Sequence, residues 1–326
     1  MSPPLEQGAV GPAVSDLQHR LAALDPDGAL IDEDGIFGPG TRAALEAFQR
    51  KRGLRTNGIC DPSTWNTLVE AGFRLGDRYL YRRAEMLRGD DVAELQQRLC
   101  SLGFDAGRVD GIFGDHTATA LCEFQRNVGL PVDGLAGGAT LRELYRLESR
   151  QQAPELVSSV RARAELRDSP RTLLGRHVVV GETGGLASAC GALRRRLAFG
   201  GTHVSELHHP DDSVQAKEAN ELGADVYLGL RLDPAASACR TSFWAGDHDQ
   251  SQGGKLLAEL IQEVVPGAIG VSDAGAHGMR LTILRETRMP AVLVELGPAS
   301  VVVERSARLA GALAAALGRW ADESWD

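Results

Sequence analysis

The sequence has little of what marks a secreted or membrane-spanning protein. Its five cysteines in 326 residues are an odd number, and no two form a Cys-x-x-Cys pair, so we expect free thiols rather than a disulfide framework. No apolar run approaches the roughly 18 residues that a transmembrane helix requires. The first residues, Met-Ser-Pro-Pro-Leu-Glu-Gln, contain neither the basic nor the apolar region of a secretory signal. These absences predict a cytoplasmic protein without a membrane span.

An excess of positive charge is also missing. The chain has 35 basic and 44 acidic residues and a formal net charge of −9, which argues against nucleic acid as a partner. Hydrophobic residues make up 43% of the sequence, enough to build cores in a chain long enough for two or three domains.

What the sequence does have is an internal repeat in its first half. Asp34-Gly-Ile-Phe-Gly38 recurs 76 residues later as Asp110-Gly-Ile-Phe-Gly114, and three further pairs keep that offset. A helix motif upstream recurs at an offset of 78, so the first copy has a loop two residues longer. The other matching pairs are Phe48-Gln-Arg50 with Phe124-Gln-Arg126, Gly53-Leu54 with Gly129-Leu130, Gly58 with Gly134, and Leu17-Gln-His-Arg-Leu21 with Leu95-Gln-Gln-Arg-Leu99. Such ordered matches indicate a duplicated domain.

Each copy is expected to fold as three short helices. Apolar residues at steps of three and four give the first helix one buried face, and a glycine-containing turn leads into the second helix. Asp115 is expected to cap the second helix of the second copy, whereas Pro39 lies near the start of its counterpart. Asp61 followed by Pro62 predicts the start of a third helix.

These motifs resemble the peptidoglycan-binding module that accompanies cell-wall hydrolases. The resemblance covers roughly 5–72 and 86–148, and it predicts two modules, at 1–72 and, with a connector, at 73–148. It implies binding of a peptidoglycan stem peptide or precursor, although most motif residues are equally typical of a core or a turn. The candidate surface and turn residues are Asp34, Phe37, Gly38, Asp110, Phe113 and Gly114.

The second half of the chain has a different pattern. Residues 149–172 are polar and are predicted to be a linker, and residues 173–326 alternate short apolar runs with amphipathic segments. The strands are predicted at 178–180, 202–207, 225–230 and 291–294, and the helices at 186–198, 213–222, 251–265 and 301–320. This alternation predicts an α/β domain with a mostly parallel sheet.

This half resembles the catalytic domain of zinc-dependent N-acetylmuramoyl-L-alanine amidases. Three stretches carry the resemblance, namely Ala219-Asn-Glu-Leu-Gly-Ala-Asp225, Val178-Val-Val with Gly184-Gly185, and Leu281-Thr-Ile-Leu-Arg285 with Met289-Pro-Ala-Val-Leu-Val-Glu-Leu-Gly297. The family binds zinc through two histidines and a glutamate. The resemblance places Thr183 at the first histidine and Arg231 at the second, and it finds no carboxylate in the shortened segment at 186–191.

A threonine hydroxyl is a poor zinc ligand, and a guanidinium carries a permanent positive charge that would repel Zn²⁺. Only Glu295 remains, at the position of the family's general acid/base, and we expect it to form an ion pair with Arg231. Glu182 lies one residue before the ligand position. The sequence therefore predicts no metal, no other cofactor and no catalytic activity.

Other residues that could hold a metal are scattered. Adjacent side chains diverge on a strand, so His208 and His209 are predicted to lie in a solvated loop rather than to share an ion. His277 is at best a residue of a substrate groove. The remaining candidates are His203, Asp211, Asp212 and His248.

A linking stretch extends the resemblance to an actinobacterial branch of amidase homologues. It consists of Phe73-Arg-Leu-Gly-Asp-Arg-Tyr-Leu-Tyr81 and Gly89-Asp-Asp-Val92. The resemblance implies a cytoplasmic regulator of peptidoglycan precursor synthesis, whose partner is the enolpyruvyl transferase that acts on UDP-N-acetylglucosamine. Activation in that branch depends on threonine phosphorylation in a C-terminal tail, and this sequence departs from that pattern because it stops at Asp326. The alternatives are an active amidase and a non-enzymatic wall-binding protein.

Overall fold

The computed structural model describes residues 4–25, 32, 34–148, 164, 166–167, 170–246 and 249–323. The chain divides into two compact units, residues 1–162 and residues 163–326. The predicted fold class is confirmed, since helical modules precede an α/β domain with a mostly parallel sheet. Within the described residues, no helix is both long and apolar enough to cross a membrane.

In the residues that the structure describes, the first unit consists of two modules of three helices each. Asp61 caps the third helix as predicted, because its side chain accepts a hydrogen bond from Thr64 N. Asp115 does not cap the fifth helix; Gly114 holds the capping position and Asp115 is the first helical residue, where its charge suits the helix N-terminus. The helices are α1 (Pro12–Leu24), α2 (Pro39–Lys51), α3 (Pro62–Glu70), α4 (Asp90–Ser101), α5 (Asp115–Asn127) and α6 (Gly138–Glu148).

A buried glutamine joins each helix to the turn and helix that follow it. In the second module, Gln96 Oε1 accepts from Gly111 N (2.8 Å), and its Nε2 donates to Ile112 O and Thr117 Oγ1 (3.0 and 3.1 Å). The other three equivalent residues make the same set of bonds to their own turn and threonine, and they are Gln18, Gln49 and Gln125. Each module therefore contains two overlapping helix–turn–helix units, and the hydrogen bonds of a buried glutamine stabilise each of them.

Two acidic residues at the start of α4 fix the connection between the modules. Arg78 forms a bidentate ion pair with the fully buried Asp91 (2.7 and 3.1 Å) and lies 3.7 Å from the centre of the Phe73 ring. Asp90 accepts two hydrogen bonds from Arg52 of the first module (2.9 and 2.7 Å). The linking stretch thus holds the two modules against each other.

The second unit is a six-stranded sheet with helices on both faces. The strand order is β2-β1-β3-β6-β4-β5, and only the β4–β6 pair is antiparallel. The strands are β1 (His177–Glu182), β2 (His203–His208), β3 (Val226–Leu232), β4 (Ala238–Trp244), β5 (Ser272–Met279) and β6 (Ala291–Leu296). The helices are α7 (Ala187–Phe199), α8 (Asp212–Glu221), α9 (Gln252–Ile269), α10 (Thr282–Glu286), α11 (Ala299–Glu304) and α12 (Ser306–Asp322).

The two faces of the sheet differ in how far they are covered. One face packs on α7, α9 and α12 and forms the larger core, which includes Val178, Leu228 and Trp320. The other face packs on α8 and α10 around Tyr227 and Leu293. The candidate site lies on this second face.

Several elements differ from the sequence-based expectation. Strands β4 and β5 were not predicted, because β5 (Ser-Asp-Ala-Gly-Ala-His-Gly-Met) lacks β-branched residues and depends on pairing with β4 and packing on α9. The last helix is interrupted at Arg305, so α11 and α12 are separate. Most of the predicted linker lies outside the described residues, but Leu166 belongs to the core of the second unit.

All five cysteines are free. Four of them are buried, and burial raises the pKa of Cys60, Cys190 and Cys239 to about 12 in each case. These thiols are therefore unreactive core residues.

Candidate functional site

The three residues that the resemblance assigns to the amidase metal site lie at the ends of neighbouring strands. Strands β1, β3 and β6 run parallel, so their carboxyl ends bring Thr183, Arg231 and Glu295 to the same end of the sheet. Arg231 and Glu295 are direct partners in the β3–β6 register, and Glu295 is also opposite Arg240 of β4. Partners in register point to the same face of the sheet. The buried Glu295 therefore lies between Arg231 and Arg240 on that face.

Arg231 forms its ion pair with a residue of a helix. Its Nη2 lies 2.6 Å from Asp212 Oδ1, and both side chains are about four-fifths buried, with relative exposures of 21% and 23%. The expected ion pair between Arg231 and Glu295 is corrected accordingly: the two residues are neighbours, but the guanidinium turns towards Asp212 because the first turn of α8 lies over the end of β3. An ion-paired cation thus lies at the position that the resemblance predicts for the second histidine.

The loop that contains Thr183 is held by the residue before it. Glu182 Oε2 accepts hydrogen bonds from Gly184 N and Leu186 N (2.8 and 3.1 Å), and Oε1 lies 2.9 Å from His208 Nδ1. Burial by itself would raise the pKa of Glu182, but the hydrogen bonds from His208, Leu186 and Gly184 outweigh it and the pKa is lowered. Glu182 is therefore an ionised anchor for the loop.

The space below this loop is filled by protein. Tyr227 Oη donates to Gln215 Oε1 (2.8 Å), and Gln215 Nε2 donates to the carbonyls of Glu182 and His209 (3.2 and 2.5 Å). A Cβ at Gly181 would overlap the side chains of both Gln215 and Tyr227. Burial raises the pKa of Tyr227, so this hydroxyl stays protonated and remains a donor.

The other candidate ligands are dispersed. His209 Nδ1 accepts from Asp211 N (3.0 Å), Asp211 caps α8, and His277 Nε2 lies 2.7 Å from Ala274 O on the edge strand β5. His203 is the first residue of β2, which is the other edge strand of the sheet. His248 lies outside the described residues. Across the described parts of the chain, no three His, Cys, Asp or Glu side chains are grouped so that they could hold a metal ion.

The residues present do not fit the zinc site of the family. A structural or catalytic zinc needs at least three nitrogen, sulfur or carboxylate donors that converge on one point. Here the two histidine positions offer a neutral hydroxyl and an ion-paired guanidinium, and the carboxylate of Glu182 is committed to the loop and to His208. No zinc-dependent step is therefore derived for this chain.

The candidate residues of the modules belong to cores and turns. Phe37 and Phe113 are buried (1% and 0% exposed), so the expectation that they lie on a binding surface is corrected. Gly38 and Gly114 precede α2 and α5 as capping residues. Asp110 Oδ1 accepts from Gln96 Nε2 and Ile112 N (3.0 and 2.8 Å), whereas Asp34 is exposed, 4.0 Å from His19 Nδ1.

Sequence comparison identifies both halves of the chain. The family model of the peptidoglycan binding domain matches residues 10–68 and 88–144, and that of N-acetylmuramoyl-L-alanine amidase matches residues 198–307. N-acetylmuramoyl-L-alanine amidase CwlM from Mycobacterium tuberculosis is 35% identical in an alignment that covers 87% of this chain and 79% of CwlM. The chain belongs to the N-acetylmuramoyl-L-alanine amidase family. The amidase match includes Arg231 and Glu295, whereas Thr183 lies before its first residue.

Two further amidases are similar to part of this chain. N-acetylmuramoyl-L-alanine amidase CwlL from Bacillus licheniformis is 31% identical in an alignment that covers 44% of this chain and 45% of CwlL. The crystal structure of the N-acetylmuramoyl-L-alanine amidase from Clostridium difficile 630 matches with 18% identity and a TM-score of 0.39, over 46% of this chain and 98% of that one.

Proposed function

We propose that this chain is a catalytically inactive member of the amidase family that regulates or scaffolds peptidoglycan biosynthesis by binding another protein. The observation that carries the proposal is the Arg231–Asp212 ion pair at the end of β3, beside Glu295. A permanent cation at a metal-ligand position disfavours Zn²⁺, and its partner Asp212 holds it in place.

The chemistry of the remaining groups supports the proposed inactivity. A general base such as Glu295 acts on a water that must be activated and positioned, and in zinc amidases the metal performs that task. In this chain Tyr227 and Gln215 fill the space under the loop, and Glu182 anchors the loop itself. The scaffold is preserved while the donors are replaced, a combination that favours a binding role.

The proposed partner is an enzyme of peptidoglycan precursor synthesis. The resemblance of the linking stretch to the actinobacterial branch makes the enolpyruvyl transferase the first protein to test. Five free thiols, four of them buried, support a cytoplasmic location.

Hydrolysis by the purified full chain tests the proposal. We expect no release of peptides from purified peptidoglycan, with or without added zinc, and no difference between the wild type and Glu295→Gln. Hydrolysis that is lost in Glu295→Gln would establish an active amidase instead.

A binding measurement tests the regulatory role. We expect the full chain to form a complex with purified enolpyruvyl transferase in sedimentation velocity and to change its rate. If the two proteins sediment separately and the chain is instead retained on purified sacculi, the wall-binding alternative replaces the proposal.

A further inference from the structure

The residue at the end of α7 is the most exposed large apolar side chain of the described residues. Phe199 is 97% exposed, whereas each of the other seven phenylalanines is buried or partly buried. Two exposed glycines, Gly200 and Gly201, follow it and add no side chain beside the ring. The core of the second unit therefore makes no use of this ring, and it is open to a partner.

A second exposed apolar residue lies on the segment next to this turn. Gly175 N donates to Gly201 O (3.0 Å), so the chain that leads into β1 lies beside the turn that follows α7. Leu174 is 65% exposed and covers the turn, since a Cβ at Gly201 would overlap its Cδ1. We call Leu174, Phe199 and the two glycines between α7 and β2 the apolar tip.

The helix surfaces beside the apolar tip carry unpaired positive charge. Arg195 and Arg196 precede Phe199 by four and three residues, so they share its side of α7. Arg196 reaches across to α12, where a Cβ at Gly311 would lie 3.7 Å from its Nη1, and Arg308 lies one turn before that glycine. These three arginines are exposed or end in solvent, and none forms an ion pair with a described residue.

Little negative charge opposes these arginines in the surrounding sequence. Residues 171–206 contain five arginines and only two acidic residues, Glu182 and Glu206. Glu206 is paired with Arg194 (2.6 Å), and Glu182 ends β1 and so lies at the far end of the strand from the apolar tip. Charges more than about 10 Å apart are screened by salt, so this local excess acts despite the net charge of −9.

We propose that the apolar tip and its flanking arginines bind the surface of a membrane that contains anionic phospholipids. An aromatic ring is stable among lipid headgroups, and arginines near the surface are attracted to the lipid phosphates. Two exposed apolar side chains cover far less than the roughly 800 Å² that each partner contributes to a stable protein complex. A bilayer needs no matching pocket, so it suits a single projecting ring.

This surface is separate from the candidate site. Strands β1 and β2 are parallel and begin at the apolar tip, whereas Thr183, Arg231 and Glu295 lie at or beyond the carboxyl ends of their strands. Membrane binding therefore does not depend on whether the chain hydrolyses peptidoglycan. Hydrolysis and vesicle binding are also measured separately, so failure of one proposal is distinguishable from failure of the other.

Flotation of the purified full chain with lipid vesicles tests the proposal. Vesicles of phosphatidylglycerol and phosphatidylcholine in equal amounts are compared with vesicles of phosphatidylcholine alone. We expect the wild type to float with the anionic vesicles at low salt. It is expected to float far less with phosphatidylcholine alone or at high salt, because the attraction is electrostatic and screened.

Variants of the tip separate the ring from the charges. Phe199→Ser is expected to lower the partition coefficient about tenfold, because the ring no longer inserts. Phe199→Trp retains an aromatic ring suited to the membrane interface and is expected to bind like the wild type. Replacing both Arg195 and Arg196 by glutamine is expected to lower it about twentyfold, since each arginine contributes a factor of about five. Melting temperatures are expected to stay unchanged, because none of the three side chains is buried.

Matched controls remove the same groups elsewhere. Val303→Ser removes a 53% exposed apolar side chain from α11, and Arg50→Gln with Arg126→Gln removes two exposed arginines from the modules. Both controls are expected to float like the wild type. The proposal is overturned if the wild type does not float with anionic vesicles, if the tip variants float like the wild type, or if the controls lose as much binding. A dimer in sedimentation velocity that is lost in Phe199→Ser would also overturn it and assign the tip to a second copy of this chain.

Discussion

Arg231 Nη2 lies 2.6 Å from Asp212 Oδ1, so the strand that supplies a metal ligand in zinc amidases is here tied to a helix by an ion pair. The pair is mostly buried and closes over the end of the sheet beside Glu295. The contribution of this ion pair to stability can therefore be measured.

A double-mutant cycle measures this pair. We expect a coupling free energy of about 1–2 kcal/mol between Arg231→Met and Asp212→Asn, above the value typical of exposed pairs because both side chains are largely desolvated. Urea unfolding of the four proteins, followed by tryptophan fluorescence, gives the number. Additive effects of the two substitutions would show that the contact contributes nothing.

Neighbouring aspartates at the start of α4 provide a matched pair of variants. Asp91→Asn leaves the Arg78 cation beside a buried neutral group and is expected to destabilise the first unit by roughly 2–4 kcal/mol. Asp90→Asn removes a carboxylate that is 43% exposed, and the expected loss is at most about 1 kcal/mol. Thermal unfolding ranks the two, and equal losses would contradict the role given to Asp91.

The buried glutamines that bond to the following turn predict that the effect of a glutamine on stability depends on its position in the helix. Gln96→Ala removes the side chain that hydrogen-bonds to Gly111 N and Ile112 O and is expected to cost about 2–3 kcal/mol. Gln97→Ala changes the same residue type one position later, on a half-buried site, and is expected to cost less than about 0.5 kcal/mol. Chemical denaturation measures the free energy of unfolding of both variants. A similar loss in both would contradict the stabilising role of the Gln96 hydrogen bonds.

Glu182 makes the second unit sensitive to acid. Its folded-state pKa lies below the ordinary value of 4.5, so its ionised form stabilises the fold above that pH, and this contribution disappears as the pH falls through the lowered pKa. Glu182→Gln is expected to lower the melting temperature at neutral pH, with a difference from the wild type that shrinks below pH 4.5. A difference that grows on acidification would contradict the assigned direction.

Much of the fold follows from local sequence. The Asp-Gly-Ile-Phe-Gly turns and the leucine spacing predict both modules because glycine conformation, capping and helical periodicity act within a few residues. The recurring glutamines were visible in the repeat, at Gln18 and Gln96 for example, but the hydrogen bond that each makes requires a turn that lies 15 or more residues downstream. Only the folded chain shows that bond.

The residues of the candidate site could be predicted from the sequence, but their contacts could not. The resemblance placed Thr183, Arg231 and Glu295 at one site, and the sheet brings their strand ends together. The partner of Arg231 depends on where α8 crosses the sheet, which no local pattern specifies. Strand β5 was missed for a similar reason, since its glycine-rich sequence forms a strand only beside β4.

Zinc stoichiometry of the purified full chain tests the central claim most directly. Equilibrium dialysis against micromolar zinc, followed by elemental analysis, is expected to give no stoichiometric metal in the wild type, because a cation occupies a ligand position. One tightly bound zinc per chain, lost on substitution of residues at the edge of the sheet near Glu295, would contradict the account.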